Sequence, residues 1–158
     1  MGRMKVTREV EWKSAEDEKR PIVMPGILDI PGDGGQPSLL GGSCPSCGVR
    51  YFPRPPRCRR CLGPVEESSV GAEGTVYSFT VIRTRAPLGL PEPYAIGYVD
   101  LKESGLRVFC LLDPQAVEEF RIGVPVRLAV GALGHDACGA PCLRPYFTPS
   151  APWPGGVA

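Results

Sequence analysis

Alternating apolar and polar residues mark the second half of the chain as a series of short strands. The stretch Thr75–Ile82 (TVYSFTVI) is rich in the β-branched and aromatic residues that fit a pleated surface. Because side chains alternate across a strand, we predict that Tyr77, Phe79 and Val81 share one face. The other face would then carry Val76, Ser78, Thr80 and Ile82.

Further apolar stretches, separated by turn residues, predict four more strands: Tyr94–Leu101, Leu106–Leu112, Val124–Leu133 and Leu143–Phe147. The turn Lys102–Gly105 joins the first two of these into a hairpin. Between the third and fourth of the five strands, Leu106–Leu112 and Val124–Leu133, the segment Pro114–Phe120 predicts a short helix, with Asp113 as N-cap and proline in the first turn. Five strands with a lone helix in this place are the order of an OB-fold barrel. The predicted fold class is therefore mainly β.

Residues 1–40 lack this alternation and predict an arm instead of a domain. The segment Arg8–Arg20 is dense in charge, and Val10 and Trp12 are its only large apolar residues. A short helix there would have a thin apolar stripe that needs a partner surface. The following stretch, Pro21–Pro37, has four prolines and four glycines and predicts a loop. Two interpretations stay open: a tail that packs on its own domain, and a partner-docking arm that orders on another subunit.

Composition supports a small β-rich protein and gives no sign of a membrane or secretory segment. The chain has 20 glycines and 19 prolines in 158 residues, which disfavours long helices. No stretch approaches the roughly 20 apolar residues of a transmembrane helix. The N-terminal residues Met1–Val6 are followed by a charged segment and not by the apolar segment of a signal peptide. We therefore expect a cytoplasmic protein.

Two matched Cys-x-x-Cys pairs carry the strongest chemical signal in the chain. Cys44 and Cys47 form the first pair, Cys58 and Cys61 form the second, and ten residues separate the pairs. Each pair runs into a glycine, which lets the backbone turn tightly around a metal-bound thiolate. Four thiolates from two such knuckles suit tetrahedral zinc, and a hairpin between the knuckles would bring them together. We predict a structural zinc site with these four ligands; an iron centre of rubredoxin type uses the same ligands and stays open.

This site gives the chain its predicted organisation. Residues 1–40 form the arm, residues 41–62 the zinc ribbon, residues 63–148 the barrel and residues 149–158 a frayed tail. The remaining cysteines are assigned no metal. Cys110 is expected to be a core thiol, and the loop His135–Cys142 is taken as an ordinary loop, because its Cys-x-x-x-Cys step is not a knuckle.

The predicted ribbon is strongly basic. Residues 41–62 hold five arginines and no acidic residue, whereas the whole chain has a net charge of only +1. One interpretation is an anion-binding patch for a nucleotide phosphate or a nucleic-acid backbone. The other is that the arginines solvate a small module and offset the formal −2 charge of zinc bound by four thiolates.

Catalytic signatures are missing from the sequence. There is no nucleophile elbow, P-loop or dinucleotide fingerprint. The single histidine, His135, leaves no imidazole for a Ser-His-Asp or Cys-His arrangement elsewhere. A four-cysteine zinc site has no open position for water or substrate. The chain is therefore interpreted as a binding or accessory module that has no catalytic set of its own.

The combination of motifs resembles a known family. The ribbon Cys44–Cys61, with Phe52-Pro53 inside it, leads into Gly74–Val81 (GTVYSFTV). Further similarities lie in Tyr94–Leu101, in Arg121–Val126 and, with a shuffled order, in the closing segment Arg144–Phe147. These segments resemble the acyl-CoA-associated family with a rubredoxin-like zinc ribbon and an OB-fold, long catalogued as a domain of unknown function. The long His135–Cys142 loop and the N-terminal arm depart from the family pattern.

The resemblance implies a non-catalytic accessory subunit. Members of this family pair with thiolase-fold enzymes, including condensing synthases, aldolases and thiolases, and others pair with hydratases of hot-dog fold. The partner carries the nucleophile, and the ribbon–barrel protein supports the complex. The resemblance further implies a hetero-oligomer whose substrate is an acyl-CoA thioester. In that setting Arg54, Arg57 and Arg60 are the candidate contacts to the phosphates of coenzyme A.

An alternative function is a single-stranded nucleic-acid-binding module, since zinc ribbons and OB-folds both serve there. Tyr51, Tyr77 and Phe79 could stack bases beside the ribbon arginines. Charge argues against it, because residues 63–158 hold seven Lys/Arg against ten Asp/Glu. A nucleic-acid groove is expected to be basic along its length.

Overall fold

The fold is seen in a computed structural model that describes residues 19–151. Its strands are β1 (Leu28–Asp29), β2 (Ser38–Ser43), β3 (Arg50–Tyr51), β4 (Glu66–Gly71), β5 (Glu73–Ile82), β6 (Tyr94–Leu101), β7 (Arg107–Leu112), β8 (Pro125–His135) and β9 (Pro141–Pro149). Two 3-10 turns lie at Pro87–Gly89 and Val117–Glu119. No helix in residues 19–151 is long and apolar enough to cross a membrane.

Strands β5 to β9 close into a five-stranded barrel in the order β5-β6-β7-β9-β8. The neighbours are antiparallel except β7 and β9, which run parallel and meet at Leu112 and Phe147. Pairing of β5 with β8 completes the closure, so every strand has two neighbours. A five-stranded barrel with a short helical turn between its third and fourth strands is the arrangement of an OB-fold. The predicted fold class is confirmed.

One apolar core joins the barrel to the first sheet, which consists of strands β1 to β4. Its largest fully buried side chains are those of Phe120, Phe147, Leu101, Leu112 and Leu128. Buried residues of the first sheet belong to the same cluster: Leu28, Leu39 and Val70. The two sheets therefore bury their apolar faces against each other, and each depends on the other for its hydrophobic stabilisation.

A β-bulge in β5 corrects the predicted faces of this strand. The pairing register with β6 shifts between Val76 and Ser78, so Tyr77 is the extra residue. Because a bulge reverses the alternation of side chains, Val76, Phe79 and Val81 all contact the core. Tyr77 instead lies outside, 49% exposed, with the guanidinium of Arg107 3.2 Å from its ring centroid. The prediction that Tyr77 shares a face with Phe79 and Val81 is wrong.

The predicted helix Pro114–Phe120 is also corrected, since the structure has only the 3-10 turn Val117–Glu119. Asp113 does not cap this turn. Its carboxylate accepts hydrogen bonds from the Gln115 amide at 2.9 Å and the Thr148 hydroxyl at 2.8 Å. It thus makes an Asx-type turn and a contact with β9, both of which compete with a helical start.

The first sheet extends on both sides of the predicted ribbon, residues 41–62. Strand β2 pairs with β4 along one edge, and with β1 and then β3 along the other. Strand β2 begins inside the predicted arm, and β4 lies inside the predicted barrel region. The reason is long-range: Leu28 and Leu39 of the predicted arm are 6% and 3% exposed in the shared core.

The described part of the predicted arm also contacts β9. The Val23 amide donates to the Leu143 carbonyl, and the Leu143 amide donates to the Pro21 carbonyl, both at 2.8 Å. Val10 and Trp12 lie outside the described residues. At the other end, β9 continues to Pro149 and the Ser150 amide donates to the Pro125 carbonyl, so ordered pairing reaches beyond the predicted start of the tail.

Candidate metal centre

The two Cys-x-x-Cys pairs converge into one cluster. The Sγ atoms of Cys44, Cys47, Cys58 and Cys61 all lie within 4.8 Å of one another. Two cross-pair distances are short, 3.4 Å for Cys44 to Cys61 and 3.5 Å for Cys47 to Cys58. Within residues 19–151 this is the one group of metal-ligating side chains with such geometry.

The size of the cluster fits a tetrahedral thiolate site. Zn–S bonds of about 2.3 Å at tetrahedral angles place the sulfurs about 3.8 Å apart. The observed separations bracket that value without a disulfide, and all four cysteines are free. The four thiols therefore fit a structural zinc ion. Four protein ligands would leave no coordination position for a substrate.

Each knuckle is a separate short turn, closed by a strand pair in the first case and by an isolated bridge in the second, which corrects the predicted hairpin between the knuckles. The first knuckle joins β2 to β3: the Cys44 amide donates to the Val49 carbonyl at 2.9 Å. The second lies between Arg57 and Pro64, which form an isolated bridge, and the Cys58 amide donates to the Gly63 carbonyl at 2.8 Å. Two separate short turns thus present two thiols each to a common centre.

The two knuckles share a left-handed residue directly after the second cysteine. In the first knuckle this residue is Gly48, with φ +70°. In the second it is Leu62, with φ +62°, and Gly63 follows one position later. Leu62 is 73% exposed, so its side chain gains little from packing. A β-carbon in this conformation costs roughly 1–2 kcal/mol, and the second knuckle therefore carries strain that the first avoids.

We expect Leu62→Gly to stabilise the protein by about 1 kcal/mol, because it removes this strain without removing a buried contact. The measurement is the free energy of unfolding of the metal-bound protein in denaturant. Gly48→Ala at the matching position of the first knuckle is the control and should destabilise by a similar amount. Equal stability of wild type and Leu62→Gly would contradict the strain argument.

Tyr51 supports the site from β3. Its hydroxyl lies 3.2 Å from the Cys58 Sγ and accepts a hydrogen bond from the Arg59 amide at 3.0 Å. The Tyr51 hydroxyl, with the amides of Cys61 and Arg60, lowers the pKa of Cys58 from 9.0 to about 6. At Cys61 the Gly63 amide favours the thiolate, but the neighbouring thiols of Cys44 and Cys58 outweigh it and raise the pKa to about 12. A divalent cation at the centre would relieve this competition by stabilising all four thiolates.

The three candidate phosphate-binding arginines all lie on the exposed surface of the ribbon. Arg54 approaches Glu67 of β4, with 3.9 Å between Nη2 and Oε2. Arg57 lies next to Cys58, and Arg60 lies between the ligands of the second knuckle, where its amide donates to the Cys58 Sγ at 3.4 Å. In the described part of the chain no hydrogen bond or ion pair links these guanidinium groups into one cluster.

The loop between β8 and β9 is stabilised by hydrogen bonds among its own residues. The Asp136 carboxylate accepts hydrogen bonds from the amides of Cys138 and Ala140, at 2.8 and 2.9 Å. Asp136 is therefore used as a turn residue, and neither it nor Cys138 belongs to the metal cluster. Cys110 is a partly buried thiol against the core, and burial raises its pKa to about 12.

Comparison with known proteins agrees with this geometry. The rubredoxin-like zinc ribbon domain of ChsH2 matches residues 33–66, and the C-terminal OB-fold domain of ChsH2 matches residues 67–131. A benzoylsuccinyl-CoA thiolase subunit, BbsA, from Thauera aromatica is 35% identical over 82% of this chain and 91% of its own length. The chain belongs to the ChsH2 family. The corresponding subunit of Geobacter metallireducens is 36% identical over 88% of the chain and 94% of its own length.

A less similar relative is a DUF35 domain-containing scaffold protein of Methanocaldococcus jannaschii, 29% identical over 62% of this chain and 71% of its own length. Among solved structures, a chain of the Ltp2-ChsH2(DUF35) aldolase superimposes with a TM-score of 0.59 at 27% identity. That match covers 72% of this chain and 86% of the other. The recognised family is thereby confirmed, and its named relatives are subunits of a thiolase, part of an aldolase, and scaffold proteins.

Proposed function

We propose that this protein is a non-catalytic, zinc-binding accessory subunit of a thiolase-type acyl-CoA enzyme. The observation that carries the proposal is the match, over more than nine-tenths of their length, to two benzoylsuccinyl-CoA thiolase subunits. The thiolase-fold partner supplies the nucleophile, and this chain supports assembly of the hetero-oligomer. Cys44, Cys47, Cys58 and Cys61 hold the zinc.

The chemistry of the described residues supports a structural role. A four-cysteine site closes the coordination sphere, so its metal fixes the backbone and does not activate water. The lone imidazole, His135, packs against the Pro87–Gly89 turn, where a β-carbon on Gly89 would meet its ring. It therefore fills a loop contact and is not paired with a nucleophile and a carboxylate. Binding to a partner is the function left to such a scaffold.

We expect co-expression with a thiolase-fold subunit from the same organism to give a stable hetero-oligomer. Thiolase activity should require both chains, because one supplies the chemistry and the other the assembled site. Size-exclusion chromatography with light scattering measures the assembly, and thioester cleavage by coenzyme A measures the activity. Full activity of the partner alone would contradict the proposal, as would two chains that elute separately.

We further propose that the exposed ribbon arginines bind the coenzyme A part of the substrate. In the assembled enzyme, Arg54, Arg57 and Arg60 contact the phosphates of coenzyme A, since guanidinium groups bind phosphate strongly. Alanine at Arg57 and Arg60 together is then expected to raise KM for coenzyme A by roughly tenfold with kcat unchanged. Arg83→Ala is the matched control, because Arg83 is an exposed arginine of the barrel paired with Glu118.

Coenzyme A without its 3′-phosphate separates a phosphate contact from a general effect. We expect the wild-type complex to have a higher KM for this analogue than for intact coenzyme A. The double substitution should raise the KM for the analogue less than it raises the KM for intact coenzyme A. An unchanged KM for intact coenzyme A would exclude a direct role of these arginines.

A further inference from the structure

The four cysteines of the metal centre differ in their exposure to solvent. Cys44 and Cys58 are 1% and 0% exposed, and Cys47 is partly buried. Cys61 is the one exposed member of the cluster. A small reagent in solution therefore meets the cluster first at Cys61.

The surroundings of Cys61 favour a reaction of its sulfur with an oxidant. As a metal ligand Cys61 is a thiolate, which is the form of cysteine that reacts. Two exposed arginines, Arg59 and Arg60, directly precede it, and residues 41–62 contain no acidic residue. Oxidation-sensitive cysteines are thiolates in accessible, electropositive surroundings of this kind.

Cys58, the other ligand of the same knuckle, is in a different environment. Its Sγ accepts a hydrogen bond from the Arg60 amide at 3.4 Å and lies 3.2 Å from the Tyr51 hydroxyl. Groups that stabilise a thiolate also lower its nucleophilicity. Cys58 is therefore both less accessible to an oxidant than Cys61 and a weaker nucleophile toward an oxidised Cys61.

Cys44 is close enough to attack an oxidised Cys61. Its Sγ lies 3.4 Å from the Cys61 Sγ, and this contact connects the first knuckle to the second. An S–S bond is about 2.05 Å long, so the two sulfur atoms need to approach by roughly 1.4 Å. The other short contact, 3.5 Å between Cys47 and Cys58, also connects the two knuckles.

We propose that Cys61 is the site at which hydrogen peroxide oxidises the metal centre, and that Cys44 is its resolving cysteine. The Cys61 thiolate attacks one peroxide oxygen; the S–O bond forms, the O–O bond breaks, and the departing hydroxide takes up a proton to give water. The Cys44 thiolate then attacks the sulfur of this sulfenic acid, the S–S bond forms, and a second hydroxide leaves and is protonated. In total two thiolates are oxidised to a disulfide and one peroxide is reduced to two waters, with uptake of two protons.

The disulfide removes two of the four metal ligands. The remaining pair, Cys47 and Cys58, is too small a ligand set for a structural zinc site, so the metal is released. The new bond still ties one knuckle to the other. A thiol reductant and zinc should restore the site, because a disulfide, unlike a sulfinic acid, is readily reduced. This inference goes beyond the proposed function and does not depend on it, because every group involved belongs to this chain.

The test treats the full-length, zinc-loaded protein with one equivalent of hydrogen peroxide. We expect release of about one zinc per disulfide formed, measured with a zinc-binding dye. Trypsin cleaves after Arg59 and Arg60, between the two cysteines of the second knuckle, so mass spectrometry separates a Cys44–Cys61 disulfide from a Cys58–Cys61 disulfide. Fragmentation of the crosslinked peptides shows which cysteine of the first knuckle is joined. A cyclic 1,3-diketone, which labels sulfenic acids, should label Cys61.

Two histidine substitutions provide a matched pair. Cys61→His keeps four zinc ligands and removes the attacked sulfur, so peroxide should release zinc at least about tenfold more slowly. Cys47→His makes the same ligand change in the first knuckle, keeps both Cys61 and Cys44, and should release zinc as fast as the wild type. Cys138→Ser removes an exposed cysteine outside the cluster and should change neither the rate nor the disulfide.

The outcomes are distinct. Equal rates of zinc release in Cys61→His and the wild type overturn the role of Cys61, and a Cys58–Cys61 disulfide as the main product overturns the role of Cys44. Zinc that stays bound in excess peroxide overturns both. If Cys61→His binds no zinc, the disulfide and the labelled cysteine in the wild type decide the result. Binding to a thiolase-fold subunit is measured separately, so a failure of the proposed function is distinguishable from a failure of this inference.

Discussion

Replacement of Cys58 by serine is expected to release the metal and to unfold both knuckles together with β2 and β3. The buried cluster around the site consists only of Cys44, Cys58 and Val65, with Cys47 and Tyr51 partly buried against it. Such a cluster is too small to stabilise two knuckles by hydrophobic burial. Structural zinc contributes about 10–16 kcal/mol of apparent binding free energy in small zinc-dependent folds. Loss of a ligand therefore removes most of what holds this part of the chain.

Cys138→Ser is the matched control, because Cys138 is exposed and lies outside the cluster. Elemental analysis should find about one zinc per chain in the wild type and in Cys138→Ser, and almost none in Cys58→Ser. Hydrogen exchange should then show loss of protection in β2, β3 and both knuckles. A Cys58→Ser protein that retains its metal and its melting temperature would exclude the four-cysteine site.

We expect Cys58→Ser to reduce hydrogen-exchange protection less in the barrel than in the ribbon. Its core residues, including Leu101, Leu112 and Phe147, are at most 2% exposed and do not contact the metal cluster. Leu28, Leu39 and Val70 join the two parts, so some loss of protection should spread into the neighbouring barrel strands. A gradient of protection from the knuckles to β6 is the expected pattern.

Local patterns predicted those parts of the fold that local physics determines. The predicted strand Tyr94–Leu101 has the same bounds as β6, because alternation and flanking turn residues define both ends. The four metal ligands follow from spacing alone, since each knuckle is a self-contained turn. The barrel order follows from the number of strands and the position of the helical turn.

Features that depend on a neighbouring strand could not be predicted from local sequence patterns. The bulge at Tyr77 exists because β5 changes register against β6, and no local signal in TVYSFTVI marks it. The extent of the first sheet depends on pairing of β2 with β4, whose residues are far apart in sequence. The sequence offers a role for Tyr51, base stacking, only under the nucleic-acid alternative. Its hydrogen bond with Cys58 depends on the position of β3 against the second knuckle. The burial of Arg144, whose Nη1 has no hydrogen-bond partner, likewise depends on the folded barrel.

Close approach of three strands explains a pair of glycines that the sequence did not single out. A β-carbon on Gly41 of β2 would collide with the backbone carbonyl oxygen of Tyr51 and lie 2.7 Å from Cγ1 of Val70. On Gly42 it would meet Val65 and Arg54. The absence of side chains here lets β3 and β4 approach β2 and bring the two knuckles to one centre.

We expect Gly41→Ala to destabilise the protein by about 3 kcal/mol or more, because the obstacle is backbone and cannot rotate away. The free energy of unfolding in denaturant measures this. Gly32→Ala is the control, since a β-carbon there meets nothing within 4 Å and its φ is not positive. It should change stability by less than about 0.5 kcal/mol.

The same substitution should weaken metal binding although every ligand is retained. To make room for the methyl group, β3 must move, and it carries the Tyr51 hydroxyl that lies 3.2 Å from the Cys58 Sγ. Loss of such an outer hydrogen bond costs about 10–100-fold in metal affinity. Competition with a zinc chelator should therefore separate Gly41→Ala from Gly32→Ala, and equal zinc affinities would show that β2 packing and the metal centre are independent.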